Sequence, residues 1–338
     1  MHKASREQIT SYIIKLIRAA DKKLVNKTTE AFNISKSSVY NYLSELCAQG
    51  VIEKTETGYR LTSKTYSFSY KNNGALFEDT IFDNDIAPLI KGYEKNIFSC
   101  WRYSFTEMMN NAIEHSNSSN IYVRVSITAN ETTILILDDG IGIFKNIQAY
   151  MKNEHNRDIS LNESASLLFA GKFTTAKSAH SGEGIFFTSH LMDIFLVISD
   201  EIVFTRDTFK DAQIDLPNSQ GGTLVLMSLG NHSKKTPREI FDRFSNVDEG
   251  FIKTQIPIAH FFPNADPVSR SEARRLLEVV TSFKEINLDF SSVSEIGQAF
   301  CHEIFIVWQE KHPDTVFNII NANEYVDKMI KRVKNTKY

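Results

Sequence analysis

Three polar side chains on one stripe of a helix restrict this chain more than any other feature. In Phe105-Thr106-Glu107-Met108-Met109-Asn110-Asn111-Ala112-Ile113-Glu114-His115 the residues Glu107, Asn111 and His115 recur every fourth position. On a helix that spacing sets them one turn apart on a common face, where they can meet one ligand together. A carboxylate, a carboxamide oxygen and an imidazole in line suit a magnesium-nucleotide, since an amide oxygen is a hard ligand for Mg²⁺ and a carboxylate can order a water. Alone, the same stripe also suits a solvated helix face.

The residues that follow narrow that choice. An alternating run from Ile121 to Ile127, a turn at Ala129-Asn130 and an apolar strand from Thr133 to Leu137 end in Asp138-Asp139-Gly140-Ile141-Gly142. A polar segment with Gly171, Thr174, Thr175 and Lys177 comes next, followed by Ser181-Gly182-Glu183-Gly184-Ile185-Phe186. Those two glycines precede an apolar helical stretch, the arrangement in which backbone N–H groups and a helix N-terminus receive phosphates. Gly221-Gly222-Thr223-Leu224-Val225-Leu226 then closes the unit as a strand.

Composition bounds the remainder. At 338 residues the chain exceeds one ordinary domain, and 42% hydrophobic with 23% charged residues describes a soluble globular protein with real cores. A net charge of -3 provides no global attraction to nucleic acid or membrane, so such a partner must meet a local patch. Cys47, Cys100 and Cys301 lie too far apart for a zinc cluster or a disulfide framework, which fits a reducing cytoplasm. No apolar run approaches a membrane span.

The first unit opens with Ser5 and Gln8 as a capping box before an apolar-faced helix, with a short helix near Thr28 to Phe32 and a third from Lys36 to Gln49 stopped by Gly50. Val51 to Leu61 reads as a hairpin turning at Gly58. From Met1 to Thr62 there are ten Lys and Arg against six Asp and Glu, an excess of positive charge that suits phosphates. Beyond Lys234, strand and helix alternate: strand-like Phe251 to Phe262, helix Arg270 to Phe283, strand Glu285 to Phe290, helix Gly297 to Lys311, strand Thr315 to Ile320 and helix Asn323 to Lys334.

Three families are resembled in order. The first unit resembles the winged helix-turn-helix family, whose third helix enters the major groove. This implies a DNA contact through Lys36, Ser37, Ser38, Tyr40 and Asn41, with Lys54 and Arg60 on the wing. A winged helix serving only protein contacts is the alternative. The middle resembles the GHKL ATPases of gyrase, heat-shock chaperones, histidine kinases and mismatch-repair proteins. That resemblance implies ATP and Mg²⁺ as cofactors, with Asn111 as the metal ligand, His115 beside it, Glu107 as catalytic base and Asp138 accepting the adenine amino group. It implies two glycine boxes at Gly140 and Gly142 and at Gly182 and Gly184, a lid with Thr174, Thr175 and Lys177, and Thr223 supporting adenine through water. The chain departs from the family at Asp139, where an Asn is usual, and at Glu183-Gly184-Ile185-Phe186. The last unit resembles a STAS-like domain of unknown function, but its Glu295-Ile296-Gly297-Gln298-Ala299 lacks the serine that heads the central helix of true anti-anti-sigma factors.

The expected fold class is α/β and multi-domain: a winged helix over 1–65, a Bergerat-type α/β sandwich that binds ATP over 66–233, and a STAS-like α/β domain over 234–338. The expected function is a nucleotide-switched, DNA-binding transcriptional regulator, with an anti-sigma-type serine kinase acting on a STAS partner as the alternative. Hydrolysis, transfer and sensing of ATP all stay open at this point. The expected partners are double-stranded promoter DNA, with a regulatory protein and a second copy of the chain as further candidates and no membrane.

Overall fold

The computed structural model describes residues 5–172, 182–205, 221–246, 248–262 and 266–336. At the N-terminus the Ser5–Gln8 capping box is formed, and the helix it starts runs Arg6–Arg18. The second helix, Leu24–Phe32, begins a turn earlier than its sequence pattern indicates. Asn33 then turns the chain with a left-handed backbone, and Ser35 caps the helix Lys36–Ala48 by accepting from the Ser38 N–H. Val39, Leu43 and Leu46 on that helix are buried with Ile9, Ile13 and Leu24, and Ile52 of the wing completes a small core separate from the rest of the molecule. The wing pairs Ile52–Thr55 with Gly58–Leu61.

The central sheet has six antiparallel strands in the order Lys64–Lys71, Asn120–Ile127, Glu131–Asp138, Leu224–Gly230, Ile194–Ser199 and Ile202–Thr205. Alternation along the strands sends Ile121, Val123 and Val125, together with Ile134 and Ile136, to one face. The 20-residue helix Lys95–Glu114 belongs to the same core through Trp101, Phe105, Met108 and Met109. Its polar stripe is thereby carried along the edge of that contact. Two helices, Ile143–His155 and Leu161–Ala170, stand where the sequence pattern indicates only a polar segment after Gly142. The strands Ile194–Ser199 and Ile202–Thr205 likewise go beyond the sequence pattern, which shows an apolar helical stretch there.

The C-terminal unit is a parallel sheet, Lys253–Pro257, Glu285–Asp289 and Val316–Ile320, with helices Arg270–Val280 and Glu324–Asn335 packed on it. The run Phe251 to Phe262 is not one strand: it stops at Pro257 and turns into a short helix, Ile258–Phe261. Ile258 and Phe261 are both buried, and their spacing of three belongs to a helix, not to a pleat. The central and C-terminal units share one continuous hydrophobic core. Among the described residues no helix is long and apolar enough to cross a membrane.

Candidate functional site

A cavity of about 290 Å³ opens beside the Lys95–Glu114 helix. Glu107, Asn111 and His115 all line it, so the stripe does face one space. Asp138 and Thr223 line it from the sheet, Gly182 and Gly184 from the start of the helix Gly184–Leu191, and Ile136, Ile147, Leu168 and Val225 supply an apolar lining. An apolar slot with a few converging polar groups is the usual build of a small-molecule pocket.

Asp138 is the most constrained of these side chains, with 4% of its surface exposed. It ends a central strand, and its Oδ1 accepts from the N–H groups of Gly140 at 2.9 Å and Thr223 at 3.2 Å. Burial pushes its carboxyl up from 3.8 to about 6, against the opposing pull of those two donors. Thr223 is tied in turn, its Oγ1 accepting from the Ile143 N–H at 2.9 Å. Asp139 behaves in the opposite way. Its carboxylate accepts from Asn120 Nδ2 at 2.7 Å and from the Ser119 and Asn120 N–H groups at 2.8 and 2.9 Å, which holds it below the usual carboxylate range. That side chain staples the loop before the strand Asn120–Ile127 and stands outside the cavity lining.

Gly140 and Gly142 are not in contact with the cavity but shape its rim. A Cβ on Gly140 would lie 2.0 Å from the Ser116 carbonyl oxygen, and Gly142 has φ +86° with Ser199 Oγ 2.5 Å from where its Cβ would be. A Cβ on Gly184 would meet the Glu107 carboxylate at 2.2 Å, so these two residues are in close contact across the pocket. Thr174, Thr175 and Lys177 fall outside the described residues. The cavity also takes in Asn110, Asn146 and Glu183, which lie outside the sequence-based candidate set. Asn146 Nδ2 donates to the His115 carbonyl at 3.0 Å, and no local sequence signal marks it.

Residues 102–229, which include this cavity's stripe, its Asp138 loop and Thr223, match the family model of histidine kinase-, DNA gyrase B- and HSP90-like ATPases. The middle of the chain is a GHKL ATPase domain. Such a domain binds ATP, and the geometry fits: a buried carboxylate at the end of a strand, glycines where a Cβ would clash, and an amide on the facing helix. On either side of the GHKL domain, residues 4–62 match the C-terminal winged helix-turn-helix domain of MCM proteins, and residues 272–327 match a STAS-like domain of unknown function. No curated protein matches the chain.

Proposed function

We propose that this protein is an ATP-binding, nucleotide-switched, DNA-binding transcriptional regulator of the GHKL superfamily. The observation that carries the reading is the buried Asp138, braced by Gly140 and Thr223 and facing the Glu107, Asn111, His115 stripe, in a chain that also bears a winged helix. In this reading Asp138 accepts from the adenine amino group and Thr223 supports that end through water. The backbone at Gly182 and Gly184 receives phosphate at the N-terminus of Gly184–Leu191. Asn111 would hold a Mg²⁺ ion through its amide oxygen, and the ion when bound would supply neutralisation of phosphate charge. Glu107 is the group placed to order a water or hydroxyl, and His115 closes the stripe.

Gly297 supports a switch over phosphorylation of the fused STAS-like domain. It heads the helix Gln298–His302, and a Cβ there would lie 2.3 Å from the Val268 carbonyl oxygen, leaving no room for a hydroxyl-bearing side chain. Phosphoryl transfer to a serine requires its hydroxyl in line with the γ-phosphate, with ADP as the leaving group.

The Asp138 carboxyl makes ATP binding depend on pH. The ionised form accepts best from the adenine amino group, because protonation removes the charge and places an O–H donor on the carboxyl, so affinity is expected to fall as pH drops through about 6. Stability of the ligand-free protein runs the other way. A carboxyl raised from 3.8 to about 6 favours the folded state most below 3.8, and that contribution is lost as pH rises to 6. Calorimetry between pH 7.5 and 5.5, with Asp138→Asn as a control for titration of the phosphates themselves, measures the first trend. Equal pH dependence in parent and variant counts against Asp138 as the acceptor.

Within the winged helix, Lys36, Ser37, Tyr40 and Asn41 are exposed along the third helix and Ser38 is half-buried. The hydroxyls of Ser37 and Ser38 each lie 2.8 Å from Ser35 Oγ at the helix start. On the wing Lys54 is exposed, while Arg60 pairs with Glu53 across the two strands. Lys36→Ala and Lys54→Ala are each expected to lower the log–log salt slope of DNA affinity by roughly 1. Arg60→Ala should lower it less, because Glu53 already offsets that charge. Mobility shifts on the organism's promoter fragments, at several salt concentrations with and without ATP and Mg²⁺, test the DNA contact and the switch together. Binding absent at every salt concentration removes the DNA reading. DNA binding that ignores the nucleotide removes the switch.

A further inference from the structure

The helix Leu161–Ala170 has the cavity on one side and the C-terminal unit on the other. Leu168 lines the cavity, while the Ser166 hydroxyl donates to the Phe261 carbonyl at 3.4 Å and Glu163 pairs with Arg275 at 3.4 Å. Arg157, shortly before this helix, pairs with Glu278 at 2.6 Å. Its end is pinned by aromatic packing: Gly171 turns with φ +93° against the ring of Phe186, where a Cβ would come within 2.5 Å. Phe186 belongs to the helix Gly184–Leu191, which opens at the cavity, and its ring lies 4.7 Å from that of Phe251. The two elements that flank residues 173–181 in sequence therefore both rest on the part of the chain beyond residue 244.

Lys172 sits where these contacts meet. Its ammonium lies 4.8 Å from the ring centre of Phe283 and 5.5 Å from that of Phe251, and it donates to the Ser282 carbonyl at 3.4 Å. Both rings are almost wholly buried. A cation over aromatic faces is attracted by their quadrupoles, more strongly where water is partly excluded. Burial pulls the Lys172 ammonium below the ordinary lysine range, and the Glu183 carboxylate, which lines the cavity, pulls the other way. Lys172 thus answers to a group of the cavity and to two rings of the C-terminal unit.

We propose that the C-terminal unit holds a wall of the ATP cavity and that Lys172, seated on Phe251 and Phe283, is the positioning residue that couples cavity occupancy to that unit. The inference rests on the ATP reading above and gives the STAS-like domain a role in it. Phosphates brought near Glu183 change the field at Lys172, and a change in how Lys172 is held shifts the packing of Arg270–Val280, which runs up to Phe283. The coupling is reciprocal: whatever displaces the C-terminal unit changes ATP affinity by the same factor.

The test uses the full chain. Amide exchange in Gly184–Leu191 and Arg270–Val280 is followed with and without Mg²⁺ and ATP, beside calorimetric ATP affinity, for the parent, Lys172→Ala and Lys172→Arg. ATP is expected to slow exchange in Arg270–Val280 of the parent, although that helix does not line the cavity. Lys172→Ala is expected to weaken ATP binding roughly 5- to 150-fold and to abolish that slowing. Lys172→Arg keeps a cation over the rings and is expected to restore both. Without ATP, Lys172→Ala should speed exchange in both helices. A parent that binds ATP while Arg270–Val280 ignores it overturns the coupling, as does a Lys172→Ala protein that binds and responds like the parent. A parent that binds no ATP overturns the nucleotide reading instead, and in that case unchanged ligand-free exchange in Lys172→Ala overturns the coupling on its own.

Discussion

Asp138→Asn is expected to weaken ATP binding by roughly 1 to 3 kcal/mol, the cost of leaving a buried polar group mismatched, which is about 5- to 150-fold in affinity. The asparagine carbonyl can keep the bonds from Gly140 and Thr223, so the loop should survive. Its amide then meets the adenine amino group donor to donor. The same substitution removes a carboxyl whose ionised form is penalised by burial, so the ligand-free variant should melt no lower than the parent at neutral pH. Loss of affinity without loss of stability separates a ligand contact from a folding defect. Calorimetry with ATP and GTP decides the matter: equal affinity for the two nucleotides in the parent, or unchanged ATP affinity in the variant, would sink the assignment.

Gly222→Ala is expected to damage the site through the backbone. Gly222 has φ +80°, and a Cβ there would stand 2.0 Å from the Asp138 carbonyl oxygen and 2.9 Å from its carbon. Neither atom is the end of a flexible side chain, so either the end of the strand carrying Asp138 or the Gly222–Thr223 backbone must shift. Backbone forced into a left-handed region costs an alanine about 1 to 2 kcal/mol before any clash is counted. The neighbouring Gly221 separates these effects. Its φ is +91°, but the nearest atom to its Cβ would be 3.9 Å away, so Gly221→Ala carries the conformational cost alone. Thermal melts should place Gly222→Ala below Gly221→Ala, with ATP binding lost only in the former. Equal melting points and equal affinities would show that the approach of Gly222 to Asp138 is unimportant.

Asp138 meets Thr223 and Gly222 across about 85 positions of chain, whereas other parts of the site are local, and that difference decides how much is legible in the sequence. The Glu107, Asn111, His115 stripe needs only the pitch of a helix to be recognised. The Ser5–Gln8 and Ser269–Glu272 boxes need only a three-residue spacing. The helices passed over after Gly142 carried similar signals: Phe144, Ile147 and Met151 are buried at helical spacing, and Ser160 with Glu163 forms a capping box. They were hidden by the glycines and polar residues around them, not by any lack of pattern. Phe251 to Phe262 failed for a different reason, since an apolar run of that length suits strand or helix and only Pro257 marks the change.

The sequence by itself determined the order of the three units and the Glu107, Asn111, His115 stripe that faces the cavity, because capping and helical periodicity act over a few residues. Tertiary structure alone decided that Asn146 and Glu183 join that cavity and that Asp139 leaves it for Ser119 and Asn120. It alone decided that the GHKL and STAS-like parts close over one core, and that Lys172 reaches across 110 positions to Ser282. Contacts of that kind depend on how whole elements pack, and a side chain buried by a partner a hundred residues away carries no mark of it in its own neighbourhood.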